Sequence, residues 1–266
     1  MNFLLLLYRA AVLWFERGAG NYAAAFSYYA PLALIPLLLF TVSVVSFFYG
    51  QTFTQQVFAD WGAVLGTDLV ELIRAALVKL NLETQTARLP IVAVFFFLGF
   101  YLVAINVLSE GFHKLWGNEV TGLRAFVKRS LRAVWFLFIL QAYLIFIIGL
   151  EFFIAPTLFG PYAILISATF FASTTVFFIL LYRILVLDAP SWAGCFAGAT
   201  VSSMLFILIK SLVDLYIATT PVLTLYGAAN LILILLVWIY ILAALIFYGA
   251  AVAGLYDKMY VPVTRK

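Results

Sequence analysis

The sequence predicts an all-α integral membrane protein. It reads as a six-transmembrane-helix bundle with both termini in the cytoplasm, an N-terminal interfacial helix, and a helical extracytoplasmic segment between spans one and two. Three observations lead there. Of the 266 residues, 67% are hydrophobic and only 10% charged, with a mean hydropathy of +1.15, whereas a soluble chain carries roughly 25% charged residues. Several apolar runs exceed the ~20 residues that a helix needs to cross a bilayer. The lysines and arginines also gather on alternate connections between those runs, as orientation in a membrane requires.

The elements follow in order. Residues 3–19 (FLLLLYRAAVLWFERGA) mix Arg9, Glu16 and Arg17 with apolar side chains, the pattern of a helix lying in the membrane interface. FLLLL at 3–7 is too short for the apolar core of a secretion signal, and no basic segment precedes it. The spans fall at about 23–48, 90–110, 133–154, 162–182, 193–217 and 225–255, and residues 1–266 make one membrane domain.

Between the first two spans, segment 49–89 carries its own helical signals. Asp68 with Glu71 resembles a capped start, and Leu69, Leu72, Ile73, Ala76 and Leu80 trace one apolar face. Span one holds two prolines, Pro31 and Pro36. Each removes a backbone donor and clashes with the preceding turn, and they point about 140° apart around a helix of 3.6 residues per turn. Span one is therefore expected to be kinked, with its middle facing the bundle interior, where polar neighbours satisfy the freed carbonyls.

Arg9, Arg17, Lys114, Arg124, Lys128, Arg129, Arg132, Arg183, Lys258, Arg265 and Lys266 fall on one side of this topology, eleven in all, against Arg74, Lys79, Arg88 and Lys210 on the other. Eleven against four places both termini in the cytoplasm. The basic 111–132 loop, HKLWGNEVTGLRAFVKRSLR from His113 onward, is accounted for by topology and by contact with anionic lipid. No nucleic-acid-binding pattern accompanies it, so membrane lipids are the partner expected and nucleic acid is not.

Chemistry is sparse. One cysteine, Cys195, and one histidine, His113, offer no disulfide framework and no metal cluster. The acids show no HExxH or DxD spacing, and a GxxxxGK[ST] phosphate loop is absent. No enzymatic activity and no cofactor are expected.

Ionisable groups inside spans are costly and mark sites by default. Glu151, near the outer end of span three, Lys210 and Asp214, one helical turn apart in span five, and Asn230, early in span six, form an outer candidate set. It could bind a polar head group or relay a proton, or it could be a structural ion pair. Asn106, Glu110 and His113 form a cytoplasmic set on span two, with Lys114 and Arg183 as alternative partners for Glu110. This set reads either as a charged helix end or as a proton-sensitive gate, since histidine titrates near neutrality.

Gly194, Gly198 and Ser202 make a small-residue ridge on span five, and Ala250 and Gly254 repeat that spacing on span six. Packing within the bundle is the expected use of such seams, with a homo-oligomer as the alternative. Most aromatics fall near span ends, as interface belts do. Trp238 and Tyr240, deep in span six, are candidates for lining a cavity.

Four stretches, AAAFSYYAPLALIP (23–36), YLVAINVLSEGFHKLWG (101–117), LYRILVLDAPSWAGCFAGATV (181–201) and YGAANLILILLVWIYILAALIFYGA (226–250), occur in this order along the chain. Together they resemble the YihY/BrkB family of bacterial inner-membrane proteins, once labelled ribonuclease BN, over nearly the whole length. The resemblance implies six helices with both termini inside and a location in the bacterial inner membrane. It also implies a function drawn from serum resistance, solute or lipid transport, and the old nuclease label. Two positions depart from the family pattern: Ala33, where a serine is usual, and Ala251 in Gly249-Ala250-Ala251, where the family often has an acidic residue in a GAE-like element.

The leading expectation is a transport protein moving a lipid, an amphiphile or a small solute, with a cation or proton exchanger as its rival. The alternative of another class is a non-transporting scaffold that docks an envelope protein through 49–89.

Overall fold

The computed structural model describes residues 3–33, 37, 91–117, 122–149, 163–186, 189–219 and 228–260. Seven helices and no strand occur among them. In chain order they are α1 (Phe3–Glu16), α2 (residues 19–33), α3 (Ile91–Trp116), α4 (Leu123–Gly149), α5 (Ala163–Ile184), α6 (Trp192–Thr219) and α7 (Ala228–Tyr260). By length and composition, four carry stretches apolar enough to cross a membrane: Phe126–Ile147, Ser167–Ile184, Trp192–Leu212 and Leu236–Tyr260. They coincide with the last four spans expected from the sequence. Segment 49–89 and most of span one, Pro36 included, lie outside the described residues.

Two expected boundaries are corrected. The 111–132 stretch is mostly helix, because α3 runs on to Trp116 and α4 starts at Leu123, leaving only 117–122 as connection. Past residue 110 the α3 sequence reads GFHKLW, and its Phe112, Leu115 and Trp116 are buried. Packing therefore extends the helix beyond the point where hydropathy falls. Gly117 then ends α3 with a φ of 79°, and its N–H bonds the Lys114 carbonyl. This is the left-handed helix stop that glycine takes without a Cβ clash.

At the other boundary α1 stops at Glu16 and α2 begins at residue 19, so the interfacial helix and the first span are separated only by a tight turn. Gly18, with φ 64°, makes that turn possible.

Helix α7 is the hub: it packs on α6, α1 and α3, while α5 joins α6, and α4 links α3 to α5. Half of the α7 apolar stretch is buried, against 11% of the α4 stretch. The polypeptide order thus wraps a central final helix, and α4 lies at the periphery with Trp135 and Phe138 exposed. An outer surface this apolar is stable only against lipid.

The α6–α7 pairing is the closest and is made by missing side chains. A Cβ at Gly194 would stand 2.8 Å from the Ala253 carbonyl, and one at Gly198 would overlap the Gly249 carbonyl and stand 2.7 Å from the Ala253 Cβ. The ridge therefore serves packing within the chain. Its partners on α7 are Gly249 and Ala253, next to the Ala250 and Gly254 that repeat its spacing. Those two instead receive Trp116 of α3, whose indole N–H donates to the Ala250 carbonyl at 2.7 Å and whose ring fills the space above Gly254.

Candidate functional site

One layer of polar side chains lies where α3, α5, α6 and α7 meet. Its centre is the Tyr182 hydroxyl on α5. It lies 2.7 Å from Ser202 Oγ on α6 and donates to the Ile246 carbonyl on α7 at 2.9 Å. Tyr182 and Ser202 are fully buried. An unpaired hydroxyl in such surroundings costs free energy, so this three-helix node fixes the register of α5, α6 and α7 together.

On α3, Ser109 Oγ donates to the Leu185 carbonyl at 3.0 Å. One turn on, the Phe112 ring meets Tyr182 and Phe247 edge-on, with centroids 5.6 and 5.4 Å away. It stacks on Trp116 at 5.8 Å. His113, next to it, is buried. The layer thus alternates hydrogen-bonded hydroxyls with a cluster of aromatic rings.

Two polar groups nearby are not satisfied. Asn106 donates through Nδ2 to the Leu102 carbonyl at 2.8 Å, but its Oδ1 is sealed from solvent with no donor among the described residues. Ser203 is fully buried, and its Oγ likewise has no partner among them. Buried polar atoms in proteins are nearly always paired, so each exception asks for a water or a ligand.

Below this layer the connections are tied by cations. Arg183 donates to the Pro190 carbonyl at 2.8 Å and lies over the Trp192 ring at 5.0 Å. Arg132 donates to the Val186 carbonyl, and Lys258 to the Trp116 carbonyl at 3.1 Å. Ser191 Oγ accepts from the Gly194 N–H at 3.2 Å, capping α6 at its third helical residue.

These contacts settle the partner alternatives for Glu110. Lys114 lies over the Tyr22 ring at 5.4 Å and Arg183 is held by Pro190 and Trp192. Neither pairs with Glu110, which stands exposed on α3. A cation over an aromatic face near the interface competes well with a surface ion pair.

Of the other expected residues, Glu151 and Pro36 lie outside the described residues. Asp214 and Asn230 fall on the backbones of α6 and α7, their side chains outside the described residues, and Lys210 is exposed on α6. The proposed convergence of Glu151, Lys210 and Asp214 therefore lies outside what the described residues include. Pro31 sits within α2, and Ser27, four residues earlier, turns its hydroxyl to the Ala24 carbonyl at 2.8 Å. Trp238 is half-buried, while Tyr240 lines an apolar recess of about 320 Å³ between α1, α6 and α7.

Tyr182 and Trp116 are not among the residues that the sequence alone singles out. Tyr182 lies two residues before the end of α5 and Ser202 ten residues into α6, so no spacing in the sequence pairs them. Among the described residues, no group of three or more His, Cys, Asp or Glu side chains could hold a metal ion.

Residues 14–265 match the model of a family described as "Virulence factor BrkB". No curated protein and no solved structure matches the chain.

Proposed function

Because the chain belongs to the BrkB virulence factor family of membrane proteins, we propose that it is an inner-membrane transport protein. It has six spans with both termini in the cytoplasm, and it moves a lipid, an amphiphile or a small solute. The observation that carries this reading is Asn106: an amide oxygen inside an apolar bundle, sealed from solvent and without a donor among the described residues. Ser203 Oγ on α6 is a second atom in the same condition. In a bundle built only to be stable, such atoms would be replaced by apolar groups at little cost. In a transporter they are where passing cargo or water bonds.

A lipid-like cargo fits better than an ion. The polar layer is lined by hydroxyls, an amide and aromatic rings, and its cations are engaged by backbone carbonyls and an indole ring. The reading includes no catalytic step.

The experiment is reconstitution of the purified protein into liposomes with assays of lipid translocation and of pH-dependent cation flux. Asn106→Val should lower lipid translocation at least several-fold while the protein still elutes as a folded species. Cation flux abolished by Glu151→Gln or Asp214→Asn would transfer the assignment to an exchanger. An absence of any flux, with full activity in cells, would favour the scaffold. Degradation of RNA by an untagged preparation, lost on a point mutation, would overturn the non-enzymatic reading.

A further inference from the structure

The four basic residues near the start of α4 are not equally engaged. Arg132 donates to the Val186 carbonyl and ties α4 to the α5–α6 connection, and Arg129 also has a partner within the protein. Arg124 and Lys128, one helical turn apart, are exposed and make no hydrogen bond or ion pair among the described residues. The 27 residues of α4 include no aspartate or glutamate, so nothing on this helix neutralises the two charges.

The same side of α4 continues as a bare apolar stripe. Arg124, Lys128, Leu131, Trp135 and Phe138 are spaced by four, three, four and three residues, which keeps them on one helix face. Leu131, Trp135 and Phe138 are exposed, and the rings of the last two meet edge-on with centroids 6.3 Å apart. The apolar stretch starts at Phe126, so both cations stand at its edge, where long basic side chains reach toward head groups. From Lys128 to Phe138 the helix rises about 15 Å, half of the ~30 Å hydrocarbon core. The stripe is therefore one leaflet deep. Helix α6 offers a comparison: Phe196, Met204 and Leu208 are just as bare. The cation at its start, Arg183, is instead held by the Pro190 carbonyl and the Trp192 ring.

We propose that the α4 stripe is a binding site for an anionic phospholipid. The phosphodiester lies against the Arg124 and Lys128 side chains, and one acyl chain runs over Leu131, Trp135 and Phe138. The charges select this occupant. An acidic soluble segment would meet the cations and leave the apolar stripe uncovered. A second copy packed through the same stripe about a two-fold axis would set Arg124 and Lys128 against their own counterparts, with no acid on α4 to offset the repulsion. A zwitterionic lipid carries its own cation beside the phosphate, which weakens the attraction. A net-anionic head group on an acyl chain matches both halves of the stripe.

This assignment does not rest on transport, and its test measures occupancy without flux. The full-length protein would be placed in nanodiscs of equal phosphatidylglycerol and phosphatidylcholine. One lipid at a time would carry a diazirine in an acyl chain, and the peptides labelled on irradiation would be mapped. The ratio of phosphatidylglycerol to phosphatidylcholine labelling on residues 131–138 should exceed that on residues 196–208 roughly 5- to 25-fold, a factor of 5 for each cation at a membrane surface. Lys128→Gln should lower the excess roughly 5-fold, and Arg124→Gln combined with it should erase the excess. Lys128→Arg keeps the charge and should keep the excess, while high salt should reduce it, because both cations are exposed. Equal ratios on the two helices, or an excess that survives the double substitution, would mean ordinary boundary lipid and would overturn the proposal. Cross-links from α4 to α4 between differently tagged copies, with the stripe shielded from both lipids, would overturn it in favour of a second copy.

Discussion

At Gly249 one hydrogen atom decides whether three helices can meet. A Cβ there would overlap Ser202 Oγ and the Tyr182 hydroxyl and stand 2.9 Å from the Gly198 carbonyl. The first two are the atoms of the three-helix node, and backbone lies behind them. Gly249→Ala should therefore destabilise the protein by about 1–3 kcal/mol, the range for overpacking a filled core, read as a lower unfolding temperature in detergent. Tyr182→Phe tests the same node from the other side. It keeps the ring between Phe112 and Phe178 and removes the donor to the Ile246 carbonyl. The loss should be smaller, about 0.5–1.5 kcal/mol, because interhelical hydrogen bonds in membranes are worth little more than those in water. A larger effect for Tyr182→Phe than for Gly249→Ala would show that polarity, not close packing, dominates the node.

Among the elements, α6 shows how a helix start is fixed by its sequence. Ser191 precedes it, its Oγ accepts from the third helical N–H, and its carbonyl accepts from Cys195 N–H at 2.9 Å. The Asp257 carboxylate approaches the same end from α7, with Oδ1 3.4 Å from where a Gly194 Cβ would be. Negative charge there opposes the positive end of the helix dipole. Ser191→Ala should cost about 1 kcal/mol, measured by the same unfolding assay, and should leave translocation per folded molecule unchanged, since the cap lies outside the polar layer. Helix α1 makes the opposite point. Its charges and apolar residues suggested an interfacial helix, and in the structure Leu4, Tyr8 and Phe15 are exposed while Leu6 and Ala10 are buried against the bundle. An apolar exposed face combined with Arg9 and Glu16 suits the headgroup boundary.

For the whole molecule, the arrangement around α7 explains how a chain with few charges holds one architecture. Small residues bring α6 close, an aromatic cluster of Phe112, Trp116, Phe247 and Tyr182 locks α3 and α5, and Tyr248 anchors α1. Helix α4 is held more lightly, by the Tyr101 hydroxyl on the Ala133 carbonyl at 2.8 Å and by Tyr143 with Thr174 at 3.0 Å. Tight packing on one side and light packing on the other would let α4 move relative to a rigid α6–α7 pair. A disulfide-forming cysteine pair in place of Tyr143 and Thr174 should then suppress translocation, and reduction should restore it. Unchanged flux in the cross-linked protein would remove α4 motion from the mechanism. Reporter fusions test the proposed topology at the same scale. A fluorescent protein that matures only in the cytoplasm should be bright at either terminus, and alkaline phosphatase inactive there.

Much of this was legible in the residues. Composition and run length determined a helical membrane protein, because hydrocarbon admits no unpaired backbone and each span must satisfy its own. The order of four motifs pointed to the family, and the Gly194–Gly198–Ser202 spacing pointed to a close seam, because small residues one turn apart share a helix face. What only the tertiary structure decided is which surfaces meet. It paired the ridge with Gly249 and Ala253, gave Ala250 and Gly254 to Trp116, drew Lys114 to Tyr22 instead of Glu110, and left Trp14 and Asn106 with polar atoms unmet. Periodicity assigns a residue to a face. It does not say which helix lies opposite, and in this protein that choice rests on the fit of individual side chains between elements distant in sequence.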